Sequence, residues 1–290
     1  MTQTQPDNIV RTGQTSRTAL RVAALRAVHA MLDEPIVLSD PIALPILGSQ
    51  LAAELTADPF QHNDPISRGL RASVVVRSRF AEDELARAVA AGVRQYVILG
   101  AGLDTFAYRN PHVGSALRVF EVDHPSTQAW KRQLLADAGI ALPENLTFAP
   151  VDFENSTLAQ GLLTAGFQPE LPACFSWLGV TVYLSETAIM QILGYVAGLA
   201  NGSSIAFDFR AKAANLGAIE RAVSDYIGQR AAEFGEPWVS AFDPAALQEQ
   251  VRALGFRDVE IFEPDALNRR YLFRRKDGLR TTTRLLLARV

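Results

Sequence analysis

The stretch from Arg94 to Thr105, Arg-Gln-Tyr-Val-Ile-Leu-Gly-Ala-Gly-Leu-Asp-Thr, constrains this chain more than any other. An apolar run, Tyr96 to Leu99, stops at Gly100-Ala101-Gly102, and an acid, Asp104, follows. Such a pattern reads as a buried parallel strand that ends in a tight turn, where backbone comes close to a ligand. About twenty residues beyond Gly102, a second apolar run, Leu117 to Val122, ends in Asp123. A carboxylate at that place accepts hydrogen bonds from both hydroxyls of a ribose. A glycine turn followed by a ribose acid implies a ligand that carries a nucleoside.

The rest of the chain divides into two textures. Residues 1–16 are polar and arm-like, without the apolar core of a secretion signal. Arg17 to Leu32 places Leu20, Ala24, Ala27, Val28 and Met31 at helical spacing. Prolines then break the pattern at Asp40-Pro41, Leu44-Pro45, Asp58-Pro59 and Asp64-Pro65, which predicts irregular chain. Helical spacing resumes from Ser73 to Ala90 and ends near Gly92. From there strands and helices alternate. Strands are expected at Tyr96–Leu99, Leu117–Val122, Leu146–Val151, Ala173–Val180, Ser203–Phe209, Asp258–Phe262 and Thr282–Val290. The helices between them span about Ser126–Ala138, Ser185–Leu199 and Ala213–Phe234, with one more opened by Asp243-Pro244. This alternation implies an α/β fold with a mostly parallel sheet covered on both faces.

The loop also narrows the ligand. A dinucleotide turn wants a third glycine where this chain has Thr105, and a bare helix N-terminus for a pyrophosphate. Asp104 in the opening turn opposes an anion there. The turn suits a ligand without phosphate and with a cationic group, which fits S-adenosyl-L-methionine. Asp152, at the end of the third strand, either accepts the exocyclic amine of adenine or caps the helix expected near Ser156. Phe153 beside it offers a ring to cover the base.

These residues resemble the leucine carboxyl methyltransferase family, and are closest to its bacterial branch of S-adenosyl-L-methionine-dependent O-methyltransferases, which includes polyketide-modifying members. The resemblance is carried by Arg77-Ser-Arg-Phe80, Val97 to Thr105 and Phe120-Glu-Val-Asp-His-Pro125. It continues through Val151-Asp-Phe153, Ser176 to Leu184, Gly235-Glu-Pro-Trp238, Leu254-Gly-Phe256 and Asn268-Arg-Arg-Tyr271. It implies a class I methyltransferase (Rossmann-like) fold: seven strands, the last antiparallel, under an N-terminal helical cap. On that reading residues 17–90 form the cap and 91–290 the cofactor-binding domain. It also implies roles. Arg77 pairs with the cofactor carboxylate, Gly100, Ala101 and Gly102 admit the methionine tail, Asp123 holds the ribose, and Asp152 with Phe153 holds the adenine. One position departs from the pattern. Many members carry a glutamate after the fourth strand, where this chain has Leu178. Asp104 or a backbone carbonyl near Gly100 is the substitute expected for the amino group.

The implied reaction moves a methyl group to a carboxylate or hydroxyl of a small-molecule acceptor, such as a polyketide. A carboxylate needs cations to orient it, for which Arg79, Arg109 and His124 are candidates. A phenol or enol gains from a base, and His124 is the first choice. Tyr108 and Tyr183 follow strands and are placed to line a pocket, with Phe106, Phe167 and Trp238 as its apolar wall. Two other readings stand beside this one: an NAD(P)-binding oxidoreductase, and a non-catalytic cofactor-binding protein.

Composition excludes other classes. The 290 residues are 48% apolar with a net charge of −3, and no basic run is interleaved with aromatics, so no nucleic-acid partner is expected. Cys174 is the only cysteine and the four histidines lie apart, so no metal site is expected. No apolar run approaches the roughly 20 residues that span a bilayer, so a cytoplasmic protein without a membrane partner is expected. The sequence carries no sign of oligomeric state or of the acceptor's identity.

Overall fold

A computed structural model describes residues 16–152 and 157–290. Its strands are β1 (Gln95–Leu99), β2 (Arg118–Asp123), β3 (Leu146–Pro150), β4 (Ala173–Trp177), β5 (Ser204–Phe209), β6 (Asp258–Phe262) and β7 (Arg284–Arg289). They form a seven-stranded sheet in the order β3-β2-β1-β4-β5-β7-β6. β1 to β5 pair in parallel, while β7 runs antiparallel to β5 and β6. The longer helices are α1 (Arg17–Leu32), α2 (Ser49–Ala57), α3 (Pro65–Ala90), α4 (Pro125–Asp137), α5 (Leu158–Thr164), α6 (Glu186–Ala197), α7 (Ala218–Glu233) and α8 (Pro244–Ala253).

Side-chain alternation along the central strands explains the two-sided core. Val97 and Leu99 of β1 share a face with Phe175 and Trp177 of β4, packed on Leu162 of α5, Ile189 and Leu193 of α6, and Leu247 of α8. Tyr96, Ile98 and Cys174 point the other way, onto Leu85 and Val89 of α3 and onto Phe106. Helices therefore bury β1 and β4 at every residue, which is why both are apolar apart from Gln95 and Ser176. At the sheet edge β6 alternates instead, with Val259 buried between exposed Asp258 and Glu260. β4 stops at Trp177, three residues short of expectation, because Gly179 takes φ +75° and turns the chain out of the sheet.

The N-terminal third is more regular than its prolines suggest. Three of the four prolines expected to break structure instead begin it, with Pro45 opening the 3-10 turn Pro45–Leu47. Pro65 is the first residue of α3, and Asp64 caps it by accepting from Ile66 N and Ser67 N, both at 3.0 Å. α3 thus starts eight residues before the helical spacing becomes visible, and α2 was not anticipated. Asp58 likewise caps a short 3-10 turn that Pro59 opens.

A buried ionic cluster ties this third to the C-terminal segment. Arg71 of α3 grips Asp33 with Nε at 2.8 Å and Nη2 at 3.0 Å. His29 Nε2 accepts from Val37 N at 2.9 Å, which makes Nδ1 the protonated nitrogen that donates to Asp33 at 2.7 Å. Arg275 approaches the same carboxylate at 3.5 Å. Burial alone would push Asp33 up, but His29 and Arg71 overcome it and hold the carboxyl at about 2. Among the described residues no helix is long and apolar enough to cross a membrane.

Candidate active site

The order β3-β2-β1-β4-β5 reverses the direction of the crossovers between β1 and β4. Open α/β sheets bind ligands in the crevice beyond the carboxyl ends of the strands at such a point. A cavity of about 340 Å³ lies there. Its walls come from the ends of β1 to β4, from α1 and α3, and from the segment after α7.

The glycine turn forms its floor. Gly100 takes φ +63° and Gly102 φ +43°, conformations that suit glycine. A Cβ on Gly100 would also collide with Val180, so the turns after β1 and β4 touch across the switch point. Ala101 N donates to Val122 O at 3.0 Å, which aligns the turn with β2. No α-helix opens after this turn. A 3-10 turn, Phe106–Arg109, follows instead, and Asp104 Oδ1 accepts from Phe106 N at 2.8 Å. The loop therefore aims no helix N-terminus at the cavity, and Asp104 adds a negative charge to its wall.

Asp123 stands at the end of β2, pinned between two backbone donors. Gly102 N reaches its Oδ2 at 2.6 Å and His124 N its Oδ1 at 2.7 Å. Burial pushes its carboxyl up, and these two bonds pull against that. The Thr127 side chain also bonds this carboxylate, which accepts about four hydrogen bonds, so acceptor capacity remains at the cavity wall. Beneath it, Glu121 and Lys131 form a fully buried pair at 2.7 Å. Burial raises Glu121 to about 7 against the pull of Lys131. Asp152 lines the cavity at the end of β3. The cap that it was an alternative for is supplied by Thr157, whose hydroxyl accepts from Gln160 N. Phe153 lies outside the described residues.

Arg77 reaches the cavity from α3. Its Nη1 donates to Asp208 Oδ2 at 2.8 Å, while Asp208 Oδ1 accepts from Gly179 N at 2.6 Å. The guanidinium lies flat on Gly179, where a Cβ would come within 2.8 Å of Cζ. Leu178 beside it lines the cavity and packs on the apolar cluster around Phe80, so the position of the usual glutamate is apolar in space as well as in sequence.

The far wall is made by α1, the turn after β4 and the segment after α7. Arg26 fixes α1 over the glycine turn, with Nε on Asp40 at 2.9 Å and Nη2 on Leu103 O at 2.5 Å. Tyr183 lines the cavity, and burial pushes its hydroxyl pKa up, with nearby Glu236 adding to the rise. Glu236 is 2% exposed. Val239 N bonds Val182 O at 2.7 Å and Ser240 Oγ bonds Thr181 O at 2.8 Å, which docks this segment on the turn after β4.

Several expected site residues stand elsewhere. Arg109 turns away from the cavity into Glu82, with Nη1 at 3.1 Å and Nη2 at 2.5 Å, because burial leaves its charge in need of a carboxylate. Arg79 pairs with Asp83 on the same helix at 2.8 Å. Phe106 packs edge-on against Tyr96, and Phe167 against Phe120 and Phe175, so both are core. Trp238 lies under Arg210. His124 lines the cavity, but its Nδ1 accepts from Ser126 N as the cap of α4. Asp208 and Glu236 were not anticipated as site residues. Asp208 had one signal, a lone acid inside the apolar run Ile205–Phe209. Among the described residues no group of His, Cys, Asp and Glu is arranged to hold a metal ion.

Comparison with known proteins finds relatives in sequence and in fold. The pattern of the leucine carboxyl methyltransferase family matches residues 19–197. The Bacillus subtilis protein named "Putative S-adenosyl-L-methionine-dependent methyltransferase YktD" is 31% identical over 93% of this chain and 95% of its own. A Mycolicibacterium smegmatis protein of the same description is 33% identical over 82% of this chain and 79% of its own. Among solved structures, "a putative methyltransferase from Thermobifida fusca YX" superposes with a TM-score of 0.58 at 19% identity, covering 97% of this chain and 96% of that one. The fold is that of the class I methyltransferases.

Proposed function

This chain belongs to the leucine carboxyl methyltransferase family and is an S-adenosyl-L-methionine-dependent methyltransferase, and from that premise we propose that it methylates an oxygen of a small molecule. The acceptor oxygen is a carboxylate or a hydroxyl, and a polyketide is one class that presents either. The observation that carries this reading is Asp123, pinned by Gly102 N and His124 N at the switch point with acceptor capacity left toward the cavity. The residues present fit the cofactor. The turn after β1 admits close backbone approach, and it offers Asp104 rather than a helix N-terminus, which favours a cation over a pyrophosphate.

The cofactor, when bound, supplies a methyl group on a sulfonium and needs an acceptor oxygen aligned opposite the departing sulfur. The chain supplies position. Arg77 orients the tail carboxylate from its seat on Gly179, Asp123 takes the ribose hydroxyls, and Asp152 takes the adenine amine. Asp104 faces the amino group in place of the glutamate that Leu178 replaces. Tyr183 stays protonated and donates a hydrogen bond to the acceptor. Residues 17–90 act as the cap, with α1 over the cavity and α3 fixed to the sheet. Calorimetric titration with S-adenosyl-L-methionine, S-adenosylhomocysteine and NAD(P) tests the reading. Binding of the two sulfur nucleosides alone is expected, and failure to bind either overturns it.

A further inference from the structure

We propose that Glu236 is the base that takes the acceptor's proton, and that the acceptor is therefore a neutral hydroxyl rather than a carboxylate. The inference rests on the methyl-transfer reading above and deepens it.

Glu236 is buried in the cavity wall, and among the described residues no donor reaches either of its carboxylate oxygens. A buried carboxylate without a partner is costly and persists where a ligand completes it. The other acids of the wall have work within the protein: Asp104 holds Phe106 N, and Asp123 holds Gly102 N and His124 N. Place along the sheet says which ligand Glu236 meets. The adenine, ribose and tail positions run through Asp152, Asp123 and Gly102, at the ends of β3, β2 and β1 in that spatial order. Glu236 is beyond them, docked on the turn after β4 through Val239 and Ser240, and the chain after it bonds the end of β5 through Phe242 N and Arg210 O at 2.8 Å. It is thus at the opposite end from the adenine, beside Tyr183.

An anionic acceptor at that end would face a like charge, and the cations that line the cavity are already paired, Arg77 with Asp208 and Arg26 with Asp40. A hydroxyl instead donates to Glu236. As the new O–CH3 bond forms and the S–CH3 bond breaks, the O–H bond breaks and its proton passes to the Glu236 carboxylate. The sulfur leaves as the neutral thioether of S-adenosylhomocysteine, and Glu236 later returns the proton to water.

Two measurements on the full chain test this. In the first, labelled methyl from S-adenosyl-L-methionine is transferred into a small-molecule cell extract, and the products are treated with mild alkali, which releases methyl esters and spares methyl ethers. Alkali-stable label is expected, with Glu236→Gln lowering its rate at least about 100-fold and cofactor affinity unchanged within about twofold. Alkali-labile label, an unchanged rate, or no transfer by a chain that binds the cofactor overturns the inference and leaves cofactor binding standing. A Glu236→Gln chain that loses cofactor affinity instead assigns the carboxylate to the amino group and overturns it too. In the second, the S-adenosylhomocysteine-loaded chain is titrated with phenol and with benzoate. Phenol should bind more tightly, and Glu236→Gln should shift the ratio toward benzoate about tenfold or more. An unchanged ratio, or no binding of phenol, contradicts the inference. A chain that binds no sulfur nucleoside fails at the underlying reading, which separates the two failures.

Discussion

The two ends of the cavity are built by different means. The end proposed for the cofactor is made of backbone: strand termini, glycines at positive φ, and a carboxylate held by two amide N–H groups. The end proposed for the acceptor is made of side chains from segments far apart in the chain, Thr18 on α1, Tyr183, and Glu236. Backbone geometry is imposed by the sheet and tolerates little change. Side chains on docked segments can vary without disturbing it. One half of the site is thus suited to a fixed ligand and the other to a variable one.

Breaking the support beneath each end should sharpen that contrast. The largest effect is expected from Lys131→Met, which leaves Glu121 buried without its cation under the cofactor end. Thermal or urea unfolding should show a loss of about 3–5 kcal/mol. A loss below about 1 kcal/mol would mean that Glu121 is comfortable neutral and that this end is less rigid than described.

The acceptor end leans on the N-terminal third, which the Asp33 cluster clamps. The folded pKa of Asp33 is depressed to about 2 from an ordinary 3.8. Its contribution to stability is therefore fully present above about pH 4 and is lost as pH falls through about 2, a span worth about 2 kcal/mol. Asp33→Asn should remove this part of the acid dependence in urea melts at pH 2–5, and an unaltered dependence would contradict the clamp.

Asp123→Ala should weaken S-adenosylhomocysteine by about 1–3 kcal/mol, since ribose hydroxyls lose their acceptor. The smallest effect is expected at the other end. Tyr183→Phe should change cofactor affinity by less than about 0.5 kcal/mol while slowing methyl transfer. Equal effects of the two substitutions on cofactor affinity would erase the distinction between the ends.

The same distinction governs what could be read from the sequence. β1, β2 and β4 are legible because strands covered on both faces are mostly apolar, with Gln95, Glu121 and Ser176 as partnered exceptions, and their ends carry Gly100, Gly102 and Asp123 in fixed order. The cap of α8 is legible because Asp243-Pro244 is a local signal, confirmed by Asp243 accepting from Ala246 N. The start of α3 is not, because Asp64-Pro65 equally describes a break and a beginning, and only the direction of the Asp64 side chain decides. Arg109 shows the other limit. Its basic charge near the glycine turn suggested an acceptor clamp, but its partner Glu82 lies 27 residues earlier on another element. Glu236 was visible within a motif, yet its place in the cavity depends on the docking of Val239 and Ser240 on the turn after β4. Pairings of that range follow from the assembled fold and leave no local trace.

A crystal structure of the full chain with S-adenosylhomocysteine tests the central claim most directly. The account predicts the ribose hydroxyls on the Asp123 carboxylate, the tail carboxylate on Arg77, and the adenine beside Asp152. A nucleoside bound anywhere else, or with its ribose turned away from Asp123, would contradict it.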